Sequence, residues 1–281
     1  MNMKKPKYFE FWGAKEPVFI RDRAPGEVFW FAENRKIFDE VIHWSSVPGR
    51  IVALKGPSGY GKTSMVREIY HGFPSDWNAS VFIVTGWETD PLWLMGGIAR
   101  YFGGDPNWED PDLQVKVVQN GVEQLQEEGR HLLLLLDGVE RLERVDDLAV
   151  LKDIQEMCGG CISILMAGQK ILFEHCDKIC DLEPWPISVV EDYLKWSLKE
   201  AGLSNISLSK EMLETIMYRS KGVPGSIARL AEGALVTGAM VNAKEWGPDL
   251  IPGDSEVNSG KNDKKRRPRK PVALALGNKK D

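Results

Sequence analysis

Residues 56–63 read Gly-Pro-Ser-Gly-Tyr-Gly-Lys-Thr, between a short apolar run with the make-up of a strand, Arg50–Lys55, and a stretch of helical periodicity, Lys62–Tyr70. The spacing G-x-x-x-x-G-K-[ST] is met at every fixed position, and a strand before with a helix after is the setting in which it has physical meaning. Glycines let successive backbone N–H groups turn toward one point, and the helix that follows adds the positive end of its dipole. Such a loop cradles phosphate oxygens. The lysine reaches the β- and γ-phosphates and the threonine hydroxyl ligates Mg²⁺. Gly56, Pro57, Ser58, Gly59, Tyr60, Gly61, Lys62, Thr63 and Ser64 are therefore read as nucleotide-binding, with ATP and Mg²⁺ as the cofactors.

The rest of the chain supplies the fold for that loop. Arg50–Lys55, Ala79–Thr85, His131–Leu136 and Cys161–Ala167 are short, rich in Val, Ile or Leu, and do not alternate. Continuous apolar runs of this length suit strands buried on both faces, as in a parallel sheet between two helical layers. Helix-like stretches at Lys62–Tyr70, Pro91–Tyr101, Leu113–Glu128 and Val145–Met157 separate them, so the class is α/β, a P-loop NTPase with a three-layer parallel sheet. After Pro184-Trp185-Pro186 come only helical periodicities, Ser188–Ala201, Ser209–Ser220 and Pro224–Met240, which predict a small all-helical lid. Ser188 and Glu191 have capping-box spacing at the start of the first, and Gly202 stands where a closing glycine would. The organisation read this way is an N-terminal extension with a first helix over 1–49, an α/β domain over 50–186, a helical lid over 187–246 and a disordered basic tail over 247–281.

Asp137 closes the Leu132–Leu136 run. A carboxylate at that strand end is the natural Walker B group, holding Mg²⁺ opposite Thr63. One strand-like run, Ala79–Thr85, separates the two motifs in sequence. That order fits ATPases with a strand inserted between the two motif strands, rather than GTPases, in which those strands are neighbours.

With these motifs placed, the chain resembles AAA+ ATPases, and among them the ExeA/GspA-type secretion ATPases and the TnsC/MuB-like transposition ATPases. The resemblance covers about residues 9–243. Phe11–Phe19 (FWGAKEPVF) is similar to the opening F-F-G-L-x-x-x-P-F, Phe29-Trp30-Phe31 to an aromatic run before the first helix, Ile162–Gln169 to a sensor-1 strand and Gly222-Val223-Pro224-Gly225 to the lid's G-x-P-R motif. The resemblance implies that Gln169 senses the γ-phosphate and that ATP sits where the α/β domain meets the lid. Three positions depart from it. Gly138 stands where the family has the Walker B glutamate, leaving Glu140 as the candidate catalytic base. Gly225 stands where the sensor-2 arginine belongs, leaving Arg229 one turn later. Lys170–Asp181 holds no arginine to serve as an intersubunit finger. Without finger and base, hydrolysis is expected to be slow or partner-dependent.

Charge separates body from tail. The net −5 conceals −12 over residues 1–260 and +7 over residues 261–281. The basic run in 261–270 suits DNA phosphates, the acidic body of the chain itself, or anionic lipid. The longest aliphatic run, Leu132–Leu136, is far short of the roughly 18 residues of a spanning helix, so no transmembrane segment is predicted. No apolar leader follows the basic start, which reads as a cytoplasmic chain. All four cysteines, Cys158, Cys161, Cys176 and Cys180, fall within 23 residues. Their spacing is close to a zinc pattern, but Cys176 and Cys180, one turn apart on an apolar helix face, read more readily as small hydrophobes, and no zinc is assigned.

The function expected is that of an AAA+ ATP-binding protein, a slow or partner-stimulated ATPase acting as a nucleotide-dependent switch or assembly factor, in a homo-oligomer or hetero-complex, on a protein or on DNA. The alternative is a non-hydrolysing, STAND-like adaptor that binds nucleic acid or protein through its basic tail.

Overall fold

The computed structural model describes residues 7–20, 23, 26–72, 78–84, 91–104, 110–139, 152–169 and 176–253. The chain divides into two compact units. Of the described residues, one is built from 32–57 and 62–182, the other from those up to Phe31, the loop Ser58–Gly61 and 183–253. The N-terminal extension and the first long helix, read from sequence as one stretch, thus go to different units.

The first unit is the predicted α/β fold. Its strands are β1 (Ile51–Lys55), β2 (Asn78–Val84), β3 (His131–Asp137), β4 (Ile162–Gly168) and β5 (Lys178–Asp181). All are parallel, in the order β2-β3-β4-β1-β5. Every residue of β3 and β4 is buried, which is why their sequences are mostly continuous apolar runs rather than alternating. The helices are α2 (Ala32–Ser45), α3 (Lys62–Gly72), α4 (Pro91–Tyr101), α5 (Pro111–Glu127) and a helical stretch at 152–157 (α6). Asp110 caps α5 by accepting from the Leu113 N–H at 3.1 Å. Two buried polar side chains, Ser163 of β4 and Gln155 of α6, are satisfied by backbone carbonyls: Ser163 Oγ donates to Val47 at 2.8 Å, and Gln155 Nε2 donates to Ile162 at 2.8 Å and Gly49 at 3.2 Å.

Strand β4, likened from sequence to a sensor-1 strand, is the one that separates the two motif strands, while β2 lies at the sheet edge. The reading from sequence missed β5. It expected Cys176 and Cys180 on a helix, but Lys178-Ile179-Cys180-Asp181 pairs with β1. Four residues are too few to display a period, and the pairing that makes them a strand comes from a segment more than a hundred residues away. Lys178 is held there by Glu40 of α2 at 2.5 Å.

His131 begins β3 buried, with Nε2 3.1 Å from the Ser45 carbonyl. Burial, partly offset by that hydrogen bond, holds its pKa below the ordinary 6.5. The folded ring stays neutral where the unfolded one takes up a proton, so stability is full above about pH 6.5 and falls as the pH drops from there toward the folded value. Urea midpoints at pH 7.5 and 5.5 should therefore differ more in the wild type than in His131→Gln, which keeps a donor and does not titrate. Equal pH dependence in the two would remove His131 as the cause.

The second unit contains α1 (Tyr8–Trp12), α7 (Ile187–Glu200), α8 (Lys210–Ser220), α9 (Pro224–Val241) and a short 3₁₀ turn, Pro248–Leu250. Its core draws Phe9, Val18 and Phe19 from the N-terminal segment together with Leu194, Ile216, Leu235 and Trp246 of the bundle. Two details correct the sequence reading. Helix α7 begins at Ile187 with Pro186 as its cap residue, so Ser188 lies inside the first turn and forms no capping box. The rigid Pro-Trp-Pro lead-in starts the helix one residue early. The chain also stays packed beyond 247, since Leu250 and Ile251 are buried; the rest of the predicted tail, 254–281, lies outside the described residues. Gly202 closes α7 as expected, with φ +79°, its N–H on Lys199 and the Leu203 N–H on Leu198.

At the centre of this unit lies Glu232, a buried acid within an apolar stretch of α9. Its carboxylate accepts backbone N–H groups from Val18 (3.2 Å), Phe19 (2.5 Å) and Ile20 (3.1 Å), and the Tyr8 hydroxyl. Burial, then this hydrogen bond, raises the Tyr8 pKa.

Candidate nucleotide site

Parallel strands carry their loops to one edge, and here the register brings the motif residues together. Lys55 of β1 pairs with Gly168 of β4, and Asp137 of β3 with Ala167. The phosphate loop, the Walker B carboxylate and Gln169 therefore leave the sheet at the same carboxyl edge, the position at which open α/β sheets bind ligands. The Gly56 N–H donates to the Gly168 carbonyl at 3.2 Å, tying the start of the loop to the strand that ends beside Gln169. Gln169 itself is exposed.

Within the loop, Gly59 (φ +86°) and Gly61 (φ +89°) occupy the left-handed backbone region that side chains disfavour. Helix α3 starts at Lys62, so the loop runs straight into a helix N-terminus. Lys62 is buried, and its Nζ donates to the carbonyls of Gly56 at 2.6 Å and Pro57 at 3.0 Å. Thr63 Oγ1 donates to Asp137 Oδ2 at 2.7 Å. A hydroxyl and a carboxylate oxygen in hydrogen-bond reach, beside a lysine and next to a helix N-terminus, form the hard-oxygen set that suits Mg²⁺ bound to phosphate. The donor chemistry fits the cofactors read from sequence.

The positions that depart from the family pattern also have physical settings. Gly138 has φ +79°, and its N–H donates to Ala167 at 2.9 Å. A side chain at 138 would have to adopt a left-handed conformation, at about 1–2 kcal/mol. Arg229 is exposed on α9, with Nε on the Gly225 carbonyl at 3.2 Å and a terminal nitrogen on Ser226 Oγ at 3.1 Å, both in the first turn of its own helix. Glu140, the candidate base, lies outside the described residues, as does the basic run in 261–270.

The cysteines are free thiols. Burial pushes Cys158, Cys176 and Cys180 each up to about 11, which keeps the free thiols protonated and unreactive at neutral pH. Cys161 instead accepts from Gln126 Nε2. Among the described residues no three His, Cys, Asp or Glu side chains converge on a metal position, and no helix is long and apolar enough to cross a membrane.

Comparison with known proteins agrees with this geometry at the level of the fold. Residues 47–175 match the AAA domain family. No curated protein matches the chain. Among solved structures it is similar to the Aeropyrum pernix ORC2 protein in its ADP form, with 15% identity and a TM-score of 0.60 over 83% of this chain and 70% of that one. It is also similar to the Aeropyrum pernix ORC1 protein in complex with DNA (13%, 0.60, 79% of this chain and 64% of that one). Drosophila ORC bound to DNA is a third (12%, 0.65, 89% and 67%). At these identities the likeness shows an AAA+ P-loop fold and nothing finer, and this chain spans only about two thirds of the length of these structures.

Proposed function

We propose that this chain is an AAA+-type ATP-binding protein, a slow or partner-stimulated ATPase that works as a nucleotide-dependent switch or assembly factor on a protein or DNA complex. The observation that carries the reading is the 2.7 Å contact between Thr63 Oγ1 and Asp137 Oδ2 at the carboxyl edge of the sheet, beside the buried Lys62. Thr63 would ligate Mg²⁺, Asp137 would orient the ion's water, and Lys62 and the N–H groups of the loop would hold the β- and γ-phosphates. Bound Mg²⁺ would supply the charge neutralisation that phosphoryl transfer needs.

Slowness is supported by Gly138. With glycine there no acid is present to polarise water, its backbone conformation disfavours one, and Gly225 removes the lid arginine. DNA as a target is supported by two of the similar structures being DNA complexes and by the basic run in 261–270. The adaptor alternative, a STAND-like switch binding through that run, is not favoured by the fold comparison.

The test is ATP turnover with and without duplex DNA, beside Lys62→Ala. Turnover should stay well below about 1 s⁻¹ for the protein alone and rise with DNA or a partner. A rate no higher than that of Lys62→Ala under every condition would remove the ATPase reading. Asp137→Asn should separately weaken the Mg²⁺-dependent part of ATP binding by about tenfold or more, as loss of an outer-sphere metal group does, while Mg²⁺-free binding is kept. Equal Mg²⁺ enhancement in both proteins would show that Asp137 does not hold the ion's water.

A further inference from the structure

The tip of the phosphate loop and the first turn of α9 meet within one compact unit. The Gly225 N–H donates to the Gly59 carbonyl at 2.8 Å. This bond is not interchangeable with others in the helix. Pro224 at the first helical position has no N–H, and the amides of Ser226 and Ile227 both donate to Val223. Gly225 carries the remaining donor of the first turn, one that has no acceptor inside its own helix, and the phosphate loop supplies that acceptor.

The approach is close enough to dictate residue types. A Cβ on Gly225 would lie 3.1 Å from Gly59 Cα and 3.2 Å from its oxygen. A Cβ on Gly59 would lie 3.2 Å from Val223 Cγ1, on a backbone at φ +86°. Three residues upstream, Gly222 is confined in the same manner: a Cβ there would fall 2.5 Å from the Trp185 oxygen, and its own carbonyl accepts the Trp185 N–H at 2.8 Å. The segment Gly222–Gly225 is thus pinned by backbone at both ends.

We infer that Gly225 is a positioning residue: the Gly59–Gly225 backbone latch sets the conformation of the phosphate loop, and glycine is favoured at 225 because a side chain there would press on the loop backbone. A trans peptide points its C=O and N–H in opposite directions, so fixing the Gly59 carbonyl also fixes the direction of the Tyr60 N–H within the loop. The latch rests on the loop being the nucleotide site, and it reverses the expectation drawn from the family motif. Arginine at 225 does not restore a phosphate contact but pushes α9 off the loop.

The test compares wild type, Gly225→Ala and Gly225→Arg by titration with a fluorescent ATP analogue. Thermal unfolding and hydrogen exchange of glycine amides, followed by NMR on the full chain, complete it. The latch predicts nucleotide affinity lowered by about threefold or more in Gly225→Ala and about tenfold or more in Gly225→Arg. In the wild type the Gly225 amide should be protected, and its exchange should change on adding nucleotide. Affinity in Gly225→Arg equal to or tighter than wild type would overturn the latch, as would wild-type exchange of Gly225 at the rate of an unprotected amide. The exchange measurement decides the matter even if a variant fails to fold. A wild type that binds no nucleotide overturns the site reading itself, a result distinct from both.

Discussion

Glu232→Ala should lower the stability of the helical unit by about 2–5 kcal/mol, the cost of leaving two buried backbone donors without an acceptor. The carboxylate is 1% exposed and accepts from three consecutive backbone amides, Val18, Phe19 and Ile20, and from the Tyr8 hydroxyl. Truncation leaves four donors without an acceptor, of which the Val18 and Phe19 amides are buried, and each buried donor left unmade costs about 1–3 kcal/mol. The loss is less than the sum because the N-terminal segment can lift away and take up water. That relief has its own cost, since Val18 and Phe19 are buried against the bundle. Glu232→Gln tests the assignment more finely: one oxygen remains to accept, while the amide nitrogen faces donors, so its loss should fall between wild type and Ala. Denaturant midpoints, with proteolysis of the N-terminal segment as a local readout, check both variants. A Glu232→Ala protein as stable as wild type would show that the carboxylate is not what holds residues 18–20.

Lys62→Ala should weaken ATP binding by about 100-fold, about 2.8 kcal/mol, with little change in thermal stability. Lys62 is 8% exposed, and its ammonium is held by the carbonyls of Gly56 and Pro57 at 2.6 and 3.0 Å, so its charge is confined to the loop. Removing it takes away the one cation of the Gly56–Thr63 segment that faces a polyanionic ligand, in a place where the low dielectric strengthens its effect. Of the two carbonyls left behind, that of exposed Pro57 can turn to water, which limits the cost of the change to the fold. Calorimetric titration with ATP, beside a thermal scan of the same sample, separates the two effects. Retained affinity would mean that the ammonium does not face the phosphates.

Much of the α/β unit was legible because its signals are local. Buried parallel strands need apolar residues on both faces, and β1, β3 and β4 show this directly in their runs. Gly202 likewise declared the end of α7 by one residue in the left-handed region. The misses share a different origin. β5 is a strand only because β1 lies beside it. Ser188 had the right neighbours for a cap, but Pro186 had already set the helix start. Glu232 was visible as an acid in an apolar helix, yet nothing near it in sequence names residues 8 and 18–20 as its partners.

The same line divides what was known of the site. Sequence alone established a phosphate loop between strand and helix and a carboxylate at the end of an apolar strand, because each is a spacing of neighbouring residues whose backbone geometry follows from residue type. Only the tertiary structure decided that β4 separates the two motif strands, that Thr63 meets Asp137 across 74 residues, and that Gly225 reaches Gly59. Those are pairings between distant segments, set by which buried surfaces and unsatisfied backbone groups find each other, and no local period encodes them.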